Sequence, residues 1–147
     1  MSVSMSMPSP NSAHRMSVFD ARRGAIALAF LLARLKPHRL AVVLRFLSRG
    51  ARPAHLDAAT TLHELIVSTS PKCAGWRGCL PRSIAIAMLC RCRGTWPTWC
   101  AGVRRTPPFA AHAWVECQSQ VVGECLPPSA YAPLIRIEAP VGGRTQP

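Results

Sequence analysis

The chain has 147 residues, of which 49% are hydrophobic and 16% are charged, and its formal net charge is +12. This length fits one domain with a modest core, and this composition excludes a chain that is disordered throughout. The positive charge suits an anionic partner, but the arginines are scattered and lack the interleaved aromatic residues of nucleic-acid-binding surfaces. We therefore expect no nucleic-acid binding, and a non-enzymatic basic binding protein is kept as an alternative.

The seven cysteines argue against a metal or redox centre. No two of them have the Cys-x-x-Cys spacing that is common in zinc sites and thiol oxidoreductases. Their odd number would leave one thiol over in a complete set of disulfides, so reduced thiols and a cytoplasmic location are expected. We predict no cofactor and no metal site.

The N-terminal segment, residues 1–15, consists mostly of Ser, Met and Pro and is predicted to be disordered, with Met16 as an alternative start. The folded domain is predicted over residues 16–140. Its first apolar run, residues 24–35, follows Arg22 and Arg23 as a secretion signal would, but no clear cleavage site follows. At about 12 residues this run is shorter than the roughly 20 that span a bilayer, so a core helix without membrane insertion is predicted.

Apolar spacing then predicts three helices, at residues 21–35, 40–48 and 57–68. Pro37 is expected to end the first helix and Gly50 the second. Asp57 is placed to cap the third helix.

Residues 71–78 are rich in Pro and Gly and are predicted to form a loop. A fourth helix is predicted to follow Cys79, with Pro81 in its first turn, and to end at about residue 93. Strands are predicted at residues 95–103, 111–117 and 121–124, and residues 131–137 form a last strand or an extended tail. Helices followed by antiparallel strands indicate an α+β fold, with the fourth helix packed on a small antiparallel sheet.

Cys79 is the candidate nucleophile because it precedes an apolar helix. The unpaired N–H groups and the positive dipole end of that helix stabilise a thiolate, which is the reactive form of cysteine. Arg77 and Arg82 add positive potential. Cys90 and Cys92 lie at the opposite, negative end of the same helix.

His112 is the candidate base, since it lies in a predicted strand and is the one histidine in the C-terminal half of the chain. It would hold the thiolate as an ion pair and then protonate the leaving amine. A third group should orient its ring. A three-residue hairpin loop, residues 117–119, would place Glu124 opposite His112, and Glu116 on the same strand is the alternative.

An oxyanion hole is also required for acyl transfer. The backbone N–H of Cys79 is the expected first donor. The indole N–H of Trp76 is a candidate second donor, with a packing role as its alternative.

Six motifs carry a resemblance to a known family: GCLPRS at 78–83, RGTWP at 93–97, GV at 102–103, PF at 108–109, AHAWVE at 111–116 and VGE at 122–124. Together, over about residues 35–137, they resemble the lasso peptide biosynthesis B protein, a transglutaminase-like leader peptidase. The resemblance implies a papain/transglutaminase-type fold with Cys79 as nucleophile and His112 as base. It places Glu124 where the family often has Asp.

The resemblance also implies a function in peptide maturation. The enzyme would cleave the leader from a ribosomally made precursor peptide, whose core is then closed by an ATP-dependent lasso cyclase. The N-terminal third lacks the length and strands of a leader-binding domain, so the chain resembles the split, peptidase-only form that needs a separate leader-recognition protein. The alternative on the same three residues is an acyl transferase of the transglutaminase or amidase type.

Overall fold

The structure, a computed structural model, describes residues 10–140, with side chains described from Asp20 onward. The helices are α1 (Pro10–Leu32), α2 (Pro37–Ser48), α3 (Leu56–Thr69), α4 (Pro71–Ala74) and α5 (Cys79–Cys92). The strands are β1 (Arg52–Pro53), β2 (Thr95–Trp96), β3 (Thr98–Arg104), β4 (Ala111–Cys117), β5 (Gln120–Val121) and β6 (Tyr131–Ile137).

Four of the strands form an antiparallel sheet in the order β5-β4-β3-β6, and β1 pairs with β2 in a separate parallel pair. The helices come first in the chain and pack on one face of this sheet, with α5 against β4. The predicted α+β fold, with the cysteine-bearing helix on a small antiparallel sheet, is confirmed.

Helix α5 forms the centre of the hydrophobic core because it lies between α1, α3 and the sheet. Residues 84–87 are each at most 2% exposed, which explains why this helix is apolar all round rather than amphipathic. Ser83 ties its first turn to the sheet, since its hydroxyl oxygen accepts a hydrogen bond from Trp99 Nε1 at 3.0 Å. The first turn of α5, which begins at Cys79, is thereby fixed on β3.

The first two helices differ from their predicted bounds. Helix α1 begins at Pro10, so residues 10–15 are helical although residues 1–15 are predicted to be disordered, and residues 1–9 lie outside the described part. Extending an existing helix costs far less than starting one, which lets α1 continue into a segment of little apolar content. Pro37 begins α2 instead of ending α1, because a proline at a helix start loses no helical hydrogen bond.

The middle of the chain differs from the sequence-based prediction in two details. The N-cap of α3 is His55, and Asp57 lies in the first turn, where its carboxylate still faces the positive end of the helix. The predicted loop at residues 71–78 contains α4 and a 3₁₀ turn (Trp76–Gly78). In the part of the chain that the structure describes, no helix combines the length and the apolar character needed to cross a membrane.

Candidate active site

Cys79 is the first residue of α5 and is partly buried. The chain enters this helix through Gly78, where a Cβ would collide with the carbonyl oxygen of Lys72. The absence of a side chain therefore allows the preceding loop to approach closely and places Cys79 at the helix start. The Cys79 sulfur thus lies in the predicted position, at the positive end of the helix dipole.

The pKa of Cys79 is lowered, although burial by itself raises it. The hydrogen bond with His112 and the backbone N–H of Ala113 outweigh burial, and the positive charges of His112 and Arg82 act in the same direction. The backbone donor on β4 is not a feature that sequence reasoning found.

His112 lies on β4 and contacts both proposed partners. Its Nε2 bonds Glu124 Oε1 at 2.9 Å, which leaves Nδ1 for the hydrogen bond with Cys79. The bonds with Cys79 and Glu124 raise the pKa of His112 to about 9 in spite of its burial. The two groups therefore favour each other's charged form: the imidazolium lowers the pKa of the thiol, and the thiolate raises the pKa of the imidazole.

Glu124 is held by more than the histidine. Tyr131 donates its hydroxyl to Oε2 at 3.3 Å, and Arg82 Nη2 lies 3.6 Å from Oε1. Burial raises the pKa of this carboxyl, but the His112 bond and the charges of His112 and Arg82 hold it below its usual value. Glu124 is therefore ionised and fixed beside the imidazole ring.

The route by which Glu124 reaches His112 differs from the predicted hairpin. The β4–β5 turn has two residues, Gln118 and Ser119, both with positive φ, instead of three. Strand β5 ends at Val121, so Glu124 is not a cross-strand partner of His112. Gly123, at φ +69°, lies against the ring of His63 and redirects the chain toward the site. The predicted register was wrong, but the predicted contact is present.

Glu116, the alternative acid, does not approach His112. Its carboxylate accepts hydrogen bonds from Trp114 Nε1 at 2.9 Å and from Arg136 Nη1 at 3.0 Å. Glu116 therefore belongs to a polar network on the other side of Trp114.

Two aromatic rings stack on the imidazole of His112. The Tyr131 ring lies 5.3 Å from it at 17°, and the Trp114 ring lies 5.9 Å from it at 15°. The Trp114 and Tyr131 rings are 5.0 Å from each other, so the three rings form one cluster, and both aromatic rings favour the cationic form of the imidazole beside them. Sequence reasoning assigned no role to Tyr131, since it lies in a separate strand and no spacing rule connects it to His112.

Three other cysteines are buried with raised pKa values. Burial raises the pKa of Cys90 to about 11 and those of Cys100 and Cys117 to about 12. These thiols stay protonated and behave as small apolar side chains. Among the side chains that the structure describes, from Asp20 to Pro140, no group of three or more His, Cys, Asp or Glu residues is placed to hold a metal ion.

Two depressions meet at Cys79 and His112. The larger, of about 570 Å³, is the basic cavity, lined by Trp76, Arg77, Arg82, Arg104, Glu124 and Tyr131. The smaller, of about 250 Å³, is the apolar groove, lined by Leu35, Leu40, Leu80, Trp99, Ala101 and Ile135. The Trp76 side chain is 76% exposed at the basic cavity, and its role as oxyanion donor stays a prediction.

The family comparison agrees with this arrangement of a helix-start cysteine and a strand histidine. The sequence model of the transglutaminase-like superfamily matches residues 24–136, a range that includes Cys79, His112 and Glu124. The chain belongs to the transglutaminase-like superfamily. Members of this superfamily are generally cysteine peptidases or acyltransferases, so a transglutaminase-like domain indicates thiol-dependent acyl chemistry. No curated protein and no solved structure matches the chain significantly.

Proposed function

We propose that this transglutaminase-like protein is a cysteine peptidase that removes the leader from a ribosomally made lasso precursor peptide. The observation that carries the proposal is the connected set of Cys79, His112 and Glu124, with a lowered thiol pKa and a raised imidazole pKa. The motifs shared with the lasso peptide biosynthesis B protein support the choice of substrate. A leader-recognition protein and an ATP-dependent cyclase belong to the same proposal as partners.

In the first half of the proposed reaction, the Cys79 thiolate attacks the carbonyl carbon of the scissile peptide bond. The oxyanion that forms accepts a hydrogen bond from the Cys79 backbone N–H. His112 donates its Nδ1 proton to the leaving amine as the C–N bond breaks, which leaves a thioester on Cys79.

In the second half, neutral His112 takes a proton from water while the water oxygen attacks the thioester carbon. The C–S bond breaks, the leader leaves with a new carboxylate, and the thiolate–imidazolium pair is restored. Glu124 stabilises the charged imidazole and fixes its orientation throughout, and Tyr131 and Arg82 hold Glu124 in place.

The test incubates the protein with a lasso precursor peptide and a leader-recognition protein and measures the products by mass spectrometry. We expect a leader and a core peptide whose masses sum to the precursor plus one water. Cys79→Ala should abolish both products, whereas Cys92→Ala, an exposed cysteine at the far end of α5, should leave them unchanged. Unaltered precursor mass with wild-type protein would refute the peptidase proposal.

The acyl-transferase alternative rests on the same superfamily membership. It predicts a product in which an amine, not water, has taken the acyl group. Adding a small primary amine and weighing the leader product separates the two functions, because the amide and the acid differ in mass.

A further inference from the structure

The apolar groove opens directly beside the reacting atoms. It lies where the α1–α2 connection, the first turn of α5 and strands β3 and β6 meet, and its edge is formed by Cys79 and His112. Leu40 and Trp99 are buried at its base, while Leu35, Leu80 and Ile135 are only partly covered. The groove therefore presents uncovered apolar surface within reach of a substrate attached to the sulfur.

The lining of the groove contrasts with that of the basic cavity. Among the described residues that line the groove there is no Lys, Arg, Asp or Glu, whereas the basic cavity contains Arg77, Arg82, Arg104 and Glu124. A charged side chain deep in the groove would lose its hydration to apolar neighbours, because the ionisable groups of the groove, Cys79 and His112, lie at its edge and already pair with each other. An apolar side chain there would remove both its own surface and that of the lining from water.

The size of the groove limits what it can hold. Its volume of about 250 Å³ is below the roughly 300–1,000 Å³ of pockets that enclose cofactors or drug-sized molecules. It suits one large side chain. Neighbouring residues of an extended peptide are about 3.3 Å apart and alternate in direction, so only a residue close to the scissile bond can reach it.

We propose that the apolar groove is the specificity subsite of this enzyme and binds one apolar side chain of the substrate, such as Leu or Phe, within two residues of the scissile bond. This inference rests on the proposed function for its natural substrate. The groove itself is a property of the surface around Cys79 and is testable without a peptide substrate.

The first experiment measures how fast iodoacetamide and N-phenethyl iodoacetamide alkylate Cys79. In both reactions the thiolate displaces iodide, so the ratio of the two rates reports binding of the phenethyl group beside the sulfur. We expect this ratio to be about tenfold or more in the wild type. Ala101→Leu, which fills the groove, should bring the ratio close to one.

Two further variants keep the result interpretable. Leu35→Ser changes a partly exposed residue of the groove wall and should lower the ratio severalfold, which covers the case in which Ala101→Leu fails to fold. Leu134→Ala is the control, since Leu134 is 79% exposed, adjoins Ile135 on β6 and does not line the groove. A wild-type ratio that both groove variants leave unchanged would overturn the proposal.

The second experiment uses the lasso precursor peptide of the cleavage assay, with Ala, Leu, Phe or Asp at each of the two residues on either side of the cleaved bond. At one of these positions we expect kcat/KM to be about 10- to 100-fold higher with Leu or Phe than with Asp. Ala101→Leu should abolish the advantage of Phe over Asp at that position, whereas the control Leu134→Ala should retain it. Equal cleavage of all four peptides at every position would refute the subsite.

The two experiments separate the two proposals. If no precursor is cleaved but the alkylation ratio behaves as expected, the peptidase function fails and the apolar subsite stands. If precursors are cleaved with no side-chain preference and the alkylation ratio is close to one, the subsite fails and the peptidase function stands.

Discussion

At the scale of single residues, the sulfur of Cys79 is subject to opposing influences. Burial favours the neutral thiol, while His112, Arg82 and the N–H of Ala113 favour the thiolate, and together they prevail. The imidazole of His112 is in turn kept protonated by Cys79 and Glu124. The reactive state therefore depends on particular neighbours more than on exposure to solvent.

The thiol reactivity of the chain should follow from these neighbours. We expect iodoacetamide at pH 7 to label Cys79 before Cys92 and Cys125, although Cys79 is partly buried and the other two are exposed. Peptide mapping after short labelling times measures the order. Faster labelling of Cys92 or Cys125 would contradict the assignment of the nucleophile.

The pH profiles of alkylation and of cleavage should differ at the alkaline end. Alkylation needs only the thiolate, so its rate should increase as the pH rises past the lowered pKa of Cys79 and should stay high above pH 9. Cleavage also needs the proton on His112, so kcat/KM should fall as pH rises through about 9, the pKa of the imidazole. A kcat/KM that stays level above pH 9 while alkylation stays high would show that His112 does not supply the proton.

The choice between the two candidate acids can be tested in the same profile. Cys79 and Glu124 both raise the pKa of His112, and Glu124→Gln removes the charge of the second. The alkaline limb should therefore move to lower pH, and kcat/KM should fall roughly 10²-fold. Glu116→Gln is the matched control, because Glu116 contacts Trp114 and Arg136 instead of His112. A shifted limb in Glu116→Gln and an unshifted limb in Glu124→Gln would reverse the assignment.

At the scale of elements, the site depends on how three connections are built. Gly78 lets the 3₁₀ turn before α5 pack against the backbone of Lys72. A two-residue turn at Gln118 and Ser119 joins β4 to β5, and Gly123 then turns the chain back toward the site. Strand β6 then contributes Tyr131 to Glu124 and to the imidazole ring. Changes in these connections should alter activity even though they touch no reacting atom.

Gly123→Ala should both destabilise the fold and impair the site. Alanine at this position would keep a positive φ, which is unfavourable for any residue with a side chain, and its Cβ would meet the ring of His63. We therefore expect a loss of about 2 kcal/mol in the free energy of unfolding. Displacement of Glu124 should lower kcat/KM at least tenfold. Thermal unfolding and cleavage assays measure the two effects.

Gly94→Ala provides the control for backbone strain alone. Gly94 follows α5 at φ +77°, and a Cβ added there would have no atom within 4 Å. The variant should therefore lose about 1 kcal/mol in the free energy of unfolding and retain its activity. If both variants lose activity equally, general destabilisation rather than the position of Glu124 explains the effect.

At the scale of the whole molecule, the chain carries a net charge of +12, and its active-site cleft combines a basic cavity and an apolar groove. Positive potential of this size speeds encounter with an acidic peptide or protein and is screened by salt. A disordered leader loses conformational entropy when it binds, so a small catalytic domain gains from a partner that holds the leader in place.

The proposed recognition partner should therefore stimulate cleavage in a salt-sensitive way. We expect little cleavage of the precursor by this protein alone, and a stimulation by the recognition protein that declines severalfold between low and high salt. Cys79→Ala should abolish cleavage and still form the complex, which pull-down or calorimetry measures. Full activity without the partner would refute the split arrangement and leave the roles of Cys79 and His112 intact.

Much of the fold was predictable because its signals are local. Strands β4 and β6 have their predicted bounds, and α5 begins at Cys79, where the sequence predicted the N-terminal end of a helix. The bounds of α1 and the start of α2 were missed, since helix extension and proline at a helix start depend on neighbours rather than on composition.

The candidate site likewise has features that were predictable from local sequence signals and features that were not. The sequence by itself determined that Cys79 stands at a helix start and His112 on a strand, because caps, prolines and alternation of side chains act over a few residues. Only the tertiary structure decided that Glu124, and not Glu116, meets the imidazole, and that Tyr131 and the Ala113 N–H complete the set. These contacts depend on a two-residue turn, a glycine at positive φ and a β3–β6 pairing across distant residues, and long-range packing sets all three.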